Sequence, residues 1–179
     1  MTDNDVKILI RTQLLAGLIR RGHTAVQVLA SNQPRHQGRV DGPVVYFFPV
    51  SDHRYGWQHR KQVYDSQSGD ITVTETQYME SVFQVMALYP QDPSNISLPT
   101  AKDLINDAAM TVNSLTFTEA MRAGGVGVQR VTDIRNPYFQ NDRDQSEASP
   151  SFDFTVSYKR VIVDAANVVD AAEFNQVSV

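Results

Sequence analysis

Phe152-Asp153-Phe154-Thr155-Val156-Ser157-Tyr158-Lys159 alternates apolar and polar side chains without a slip. A two-residue period puts every second side chain on one face, so this stretch predicts a strand with one buried face and one wet face. Upstream, Val126 to Ile134 reads as a second strand, entered through Gly124-Gly125 and broken by Asn136-Pro137. Gln140 to Ser151, with Asp142, Arg143, Asp144 and Glu147, reads as a polar loop between the two. An isolated hairpin of this length is marginal in water, so its apolar face must lie on something.

The partners are found by working back along the chain. Residues 5–21 predict a helix capped by Asn4 or Asp5, with Arg20 and Arg21 at its end and Gly22 as the stop. Val6, Ile10, Leu14 and Leu18 form one stripe at four-residue spacing. Ile8, Leu15 and Ile19 fall on another side. A helix that is apolar on two sides is either wholly covered in a core or has one face on its own sheet and one on a neighbouring subunit. Val26 to Leu29 suggests a short strand, and Ser31 to Gly42 a loop. Val44 to Val50 is strand-like, with Pro49 marking an edge or a bend. His53 to Trp57 reads as a turn around Gly56, with Gln58 to Asp65 returning, which makes a long hairpin over 43–65. Ser66 to Asp70 is a further turn signal. Ile71 to Tyr89, free of Gly and Pro, predicts one long strand whose alternation slips near Glu75 to Glu80, as at a bulge.

Pro90, Pro93 and Pro99 mark a loop. Thr100-Ala101-Lys102-Asp103 then resembles a capping box ahead of the stripe Leu104, Ile105, Ala108, Ala109 and Val112. Ser114 caps a shorter helix through Met121. The tail after Val163 is rich in Ala and Val and suits a short helix or an arm. The expected fold class is α+β. It consists of a mostly antiparallel sheet of long strands, with an N-terminal and a central helix packed on one face. Residues 1–179 read as a single domain, with the hairpin 43–65 and the tail 164–179 as extensions.

Composition narrows the function. With 20% charged and 41% hydrophobic residues, the 179-residue chain is of globular type and long enough to bury a core. The formal net charge of −4 argues against nonspecific grip on a phosphate backbone. Cysteine is absent, which excludes disulfides, thiolate catalysis and cysteine–metal sites. The acidic start, Met1 to Asp5, lacks the basic region of a signal peptide. The apolar run from Ile8 to Ile19 contains Arg11, Thr12 and Gln13 and is too short and polar to span a bilayer, so a soluble protein is expected.

No catalytic, cofactor or metal constellation emerges. His53 and His59 lie six apart across the expected turn, and with His23 and His36 they lack the companions a zinc site needs. No serine sits in a Gly-x-Ser-x-Gly elbow. Gly124-Gly125-Val126-Gly127 follows a helix, whereas a phosphate-binding glycine loop follows a strand. Arg54, Tyr55, Trp57, His59, Arg60 and Lys61 form the only basic-aromatic cluster. It reads as a solvated hairpin tip, as an interface anchor, or as a platform that stacks single-stranded bases.

Ala123 to Val128, then Thr132-Asp133-Ile134-Arg135-Asn136-Pro137-Tyr138-Phe139, an acidic loop and Phe152 to Val156 together resemble the C-terminal half of tailed-phage neck or tail terminator proteins. Val26 to Leu29, Asn32-Gln33-Pro34 and the strand from Val44 are similar to that family's entry into its sheet. The resemblance implies a structural virion protein of the tail or neck, assembled in the host cytoplasm, with no cofactor and no catalysis. It implies a ring, commonly of six copies, that caps the tail tube, stops its growth and docks to the head connector while DNA passes through. The implied partners are further copies of the chain, tube protein, sheath protein and neck proteins, with no membrane. Ile8, Leu15 and Ile19 become subunit-interface candidates. Arg54, Tyr55, Trp57, Arg60, Lys61, Arg135, Tyr138 and Phe139 become partner-contact candidates. The alternatives are another neck or baseplate adaptor, a single-stranded nucleic-acid binding module, or a small hydrolase.

Overall fold

A computed structural model describes residues 1–30, 42–67, 69–89, 95, 97–140 and 146–166. The elements in chain order are α1 (Asp3–Arg20), β1 (Gln27–Leu29), β2 (Val44–Tyr64), β3 (Ile71–Leu88), α2 (Ala101–Val112), α3 (Leu115–Ala123), β4 (Val126–Val128), β5 (Tyr138–Gln140), β6 (Ser146–Ala148) and β7 (Ser151–Ala166). Five strands form one sheet in the order β1-β2-β3-β7-β4, and β5 pairs with β6 in a small second sheet. All pairings are antiparallel except β1 with β2. The α+β class and the mostly antiparallel sheet of long strands are therefore observed.

The alternating stretch behaves as its period predicts. Phe152, Phe154, Val156 and Tyr158 of β7 face inward opposite Val85, Phe83, Ser81 and Met79 of β3. On the other side of β3, Phe47 of β2 stands opposite Val85. The rings interleave, with centroids 6.3 Å apart for Phe47–Phe83, 5.9 Å for Phe83–Phe154 and 6.3 Å for Phe152–Phe154, all tilted as aromatic quadrupoles prefer. All three helices deliver side chains to this face: Val6, Ile10, Leu14 and Leu18 from α1, Leu104, Ile105, Ala108 and Val112 from α2, Phe117 and Met121 from α3. The four-residue stripe of α1 is thus its core side.

The helix starts are set by side chains that satisfy otherwise unpaired amides. Thr2, not Asn4 or Asp5, caps α1. Its hydroxyl accepts from the Asp5 amide at 3.2 Å, and the Asp5 carboxylate accepts from the Thr2 amide at 2.8 Å. Asp5 therefore serves as the reciprocal acid one turn in. Thr100 and Asp103 form the same box at α2, and Ser114 caps α3. Hydrogen bonds from Thr2 and Thr100, the backbone amide foremost, hold the carboxyls of Asp5 and Asp103 below their ordinary range.

Gly17 is the residue that decides how closely α1 and α2 approach. A Cβ there would lie 2.1 Å from Thr111 Cγ2, far inside contact distance. Thr111 is buried and its hydroxyl donates to the Asp107 carbonyl, so it has little room to move. Alanine would gain roughly 0.5–1 kcal/mol of helix propensity over glycine. Overpacking costs about 1–3 kcal/mol and outweighs it. Gly17→Ala should therefore lower the urea midpoint; an unchanged or raised midpoint would show that the two helices can part.

Four expectations about the strands fail, each for a local reason. The hairpin expected over 43–65 is absent: β2 is one continuous 21-residue strand, and the chain reverses after it, over Asp65 to Asp70. Gly56, at φ 63°, serves a bulge instead of a reversal: Gly56, Trp57 and Gln58 stand against Gln77 alone. The slip expected near Glu75 to Glu80 is this bulge, seen from the unbulged partner. The strand expected over Val126 to Ile134 stops at Val128. The Asn113 side chain takes both backbone groups of Val131, accepting from its amide at 2.9 Å and donating to its carbonyl at 3.0 Å, which removes Val131 from any ladder. The loop expected over Gln140 to Ser151 contains β6, whose backbone pairs with β5. The tail expected from 164 is strand over its first three residues, because β7 runs to Ala166 opposite Ile71. Residues 167–179, the loop Ser31 to Gly42 apart from Gly42, and His36 lie outside the described residues.

Candidate assembly interface

Beyond the helical layer three strands continue with no other described strand or helix along them. Residues 51–64 of β2, 71–80 of β3 and 157–166 of β7 stay paired in register from Tyr64–Ile71–Ala166 inward. At about 3.3 Å per residue this arm extends for roughly 30 Å. Its side chains are exposed or half-buried on both faces, except Met79 and Tyr158 at its base. The β3–β7 register is unbroken from Met86–Ser151 to Ile71–Ala166, so the arm is a rigid continuation of the core strands.

Register assigns each side chain to a face. On the face continuous with the core lie Arg54, Arg60, Gln62 and Tyr64 of β2, Ile71, Val73, Glu75 and Gln77 of β3, and Arg160, Ile162 and Asp164 of β7. Arg60 and Glu75, direct cross-strand partners, form an ion pair at 2.6 Å. Gln77 Nε2 donates to the Tyr55 carbonyl at 2.7 Å and ties down the bulge. On the outer face lie His53, Tyr55, His59, Lys61 and Val63, then Thr72, Thr74, Thr76 and Tyr78, then Lys159, Val161 and Val163. The Lys159 ammonium sits 5.1 Å from the centroid of the Tyr78 ring. A hydrogen bond to Glu80, reinforced by that carboxylate's charge, raises the pKa of the Tyr55 hydroxyl.

The basic-aromatic cluster is therefore not one platform. Arg54 and Arg60 lie on one face, Tyr55 and Lys61 on the other, and Trp57, 98% exposed, projects from the bulge. His53 and His59 stand on a strand rather than across a turn, both on the outer face. Arg135 is distant from the arm in register: it bridges to Ser151 and pairs with Asp153 at 2.6 Å, where Gln84 Nε2 also donates, at 3.1 Å. Tyr138 and Phe139 lie in β5, beyond that segment. Among the described residues no group of three or more His, Asp or Glu could hold a metal ion. No described helix is long and apolar enough to cross a membrane.

The second side of α1 is present but uneven. Ile8 is 56% and Ile19 45% exposed. Leu15 differs: it is half-buried and packed against the core. The sequence grouped these three by angle, and angle alone does not register how far α2 and α3 wrap around α1. What sequence reasoning missed is the arm's far end, where Val161, Ile162 and Val163 are three consecutive exposed β-branched residues. The signal was there, in β-branched residues continuing past the clean alternation.

No curated protein matches the chain. Among solved structures, the sheath/tube terminator of an extracellular contractile injection system, PVC, in its extended state, aligns over 100% of this chain and 64% of that one. The identity is 13% and the TM-score 0.52, so the likeness is one of fold, and this chain spans less than two thirds of the terminator's length. A chain from the virion of a native gene transfer agent particle aligns over 84% of this chain and 92% of that one at 12% identity, with a TM-score of 0.27 that carries no weight. The sequence profile that matches covers residues 5–168, nearly the whole described chain from α1 to the end of β7, and by it the chain belongs to the family of the phage E217 gateway protein gp29.

Proposed function

We propose that the protein is a structural ring component at the joint of a phage tail and head. In this reading, about six copies close around a pore, as heterologous contacts must do to avoid an open filament. The ring caps the tail tube, ends its elongation and presents a surface to the neck, while DNA passes through without specific binding. The chain catalyses nothing and holds no cofactor. Its partners are its own copies, tube protein, sheath protein and neck proteins.

The observation that carries this reading is the arm. A globular protein that works alone has no use for a three-stranded sheet exposed on both faces, with Tyr55, Trp57, Val63, Tyr64, Val161, Ile162 and Val163 in contact with water. Ile8 and Ile19 on α1 add a second apolar surface, suited to a neighbouring copy. Family membership and the terminator-like fold support the same conclusion.

The test is direct. Purified protein, mixed with tail tubes assembled from the cognate tube protein, should form a ring at one tube end in negative stain and halt further growth. A protein that stays a single copy at high concentration and leaves tubes uncapped would overturn the reading. Salt-sensitive binding to a labelled oligonucleotide, with no ring, would favour the nucleic-acid module instead.

A further inference from the structure

Among the described residues, nothing pairs along most of either long edge of the arm. β1 covers β2 only at Val44 to Tyr46, and β4 covers β7 only at Val156 to Tyr158. Further out, the Lys159 carbonyl accepts from the Met1 amino group at 3.5 Å. Beyond that point no described residue pairs with the outer edge of either strand. Such an edge is a row of unmet N–H and C=O groups that templates another strand. Proteins protect edges with charge, proline and bulges. Here those devices leave gaps: β2 carries Pro49, Arg54, the Gly56 bulge, Arg60 and Lys61, and β7 carries Lys159, Arg160 and Asp164. Gln62-Val63-Tyr64 at the end of β2 and Val161-Ile162-Val163 within β7 lack them.

The two bare stretches are offset by three residues in the sheet: Val161, Ile162 and Val163 stand across β3 from His59, Arg60 and Lys61, and Gln62, Val63 and Tyr64 from Asp164, Ala165 and Ala166. Thr74 has Lys61 on one side and Val163 on the other; Thr72 has Val63 and Ala165. Lys61, Val63, Val161 and Val163 also share the outer face. One chain thus offers two open edges, each with a bare stretch that contains β-branched residues or tyrosine. A second copy set beside the first satisfies both, whereas a foreign strand would leave one of them bare.

We infer that neighbouring copies join by main-chain hydrogen bonds between the β7 edge of one arm and the β2 edge of the next. This rests on the ring reading above and adds the joint to it. Direction follows from topology. β2 and β7 are each antiparallel to β3, so they run the same way. A rotation about a ring axis preserves strand direction along that axis. In a sheet that wraps the axis, the β7–β2 joint between copies is therefore parallel.

The absence of cysteine in the chain makes the joint testable by disulfide trapping. The probes are Val163→Cys combined in turn with His59→Cys, Lys61→Cys or Val63→Cys, which share one face and span staggers of two residues either way. Within one chain these pairs flank β3, about 9–10 Å apart for level partners. A disulfide needs Cα atoms within roughly 7 Å, so a bridge can form only between copies. At least one pair, oxidised under assembly conditions, should give a ladder of covalent multimers that reductant collapses, with each single-cysteine variant left uncrosslinked. Rings seen by imaging without a ladder from any pair would overturn the joint and leave the ring standing. Dimers from Val63→Cys alone, with no ladder from the pairs, would show a two-fold β2–β2 contact and overturn the parallel joint. Absence of any ring or cap would defeat the underlying reading instead.

Discussion

Leu14→Asp is expected to leave no folded protein to assay. Leu14 is fully buried in the stripe that seats α1 on the sheet. Truncating a buried leucine costs about 2–5 kcal/mol, and the unpartnered carboxyl adds about 1–3 kcal/mol more even when it takes up a proton to avoid charge. The sum is comparable with the roughly 5–15 kcal/mol that stabilises a typical domain. Circular dichroism should show no cooperative melt. A Leu14→Asp variant that melts like the parent would mean α1 is not anchored by this stripe.

Ile8→Asp and Ile19→Asp should do the opposite: spare the fold and abolish assembly. Both side chains are about half exposed on the face of α1 turned from the core. Surface changes of this kind usually stay within about 0.5 kcal/mol. A carboxylate in the last turn of a helix, where Ile19 lies, is opposed by the macrodipole by about 0.3–1 kcal/mol, a term that does not reach Ile8 in the second turn. Ile19→Asp should therefore melt slightly below Ile8→Asp. At an interface, each would desolvate a charge without a partner and cost several kcal/mol. The check is a parental melting curve together with loss of rings and tube capping. Rings from both variants would remove this face of α1 from the interface. Leu15→Asp is a poorer probe than its angular position implies, because its half-buried contact with the core mixes folding with assembly.

Much of this architecture is legible in the amino-acid sequence, and the failures share a cause. Phe152 to Lys159 and Val6 to Leu18 were legible because burial on one side imposes a period. The capping box at Thr100 was legible because it is local, whereas the cap of α1 is Thr2, ahead of the Asn4 or Asp5 expected. The misreadings arose where a distant partner or a third dimension decided. Gly56 is equally at home in a turn and in a bulge, and only Gln77 across the strand distinguishes them. Val131 leaves the sheet because of Asn113, eighteen residues away. The arm itself erased the expected alternation: where both faces are wet, no period is required, so residues 51–64 looked like two pieces joined by a turn.

The unbroken run of β3 from Ile71 to Leu88 also has a mechanical consequence. A pull or push on the tip along the strand direction is borne by many parallel main-chain bonds at once, in shear, and cannot peel them open one by one. The load ends in the interlocked phenylalanines rather than at a hinge. Such an element is suited to resisting axial force.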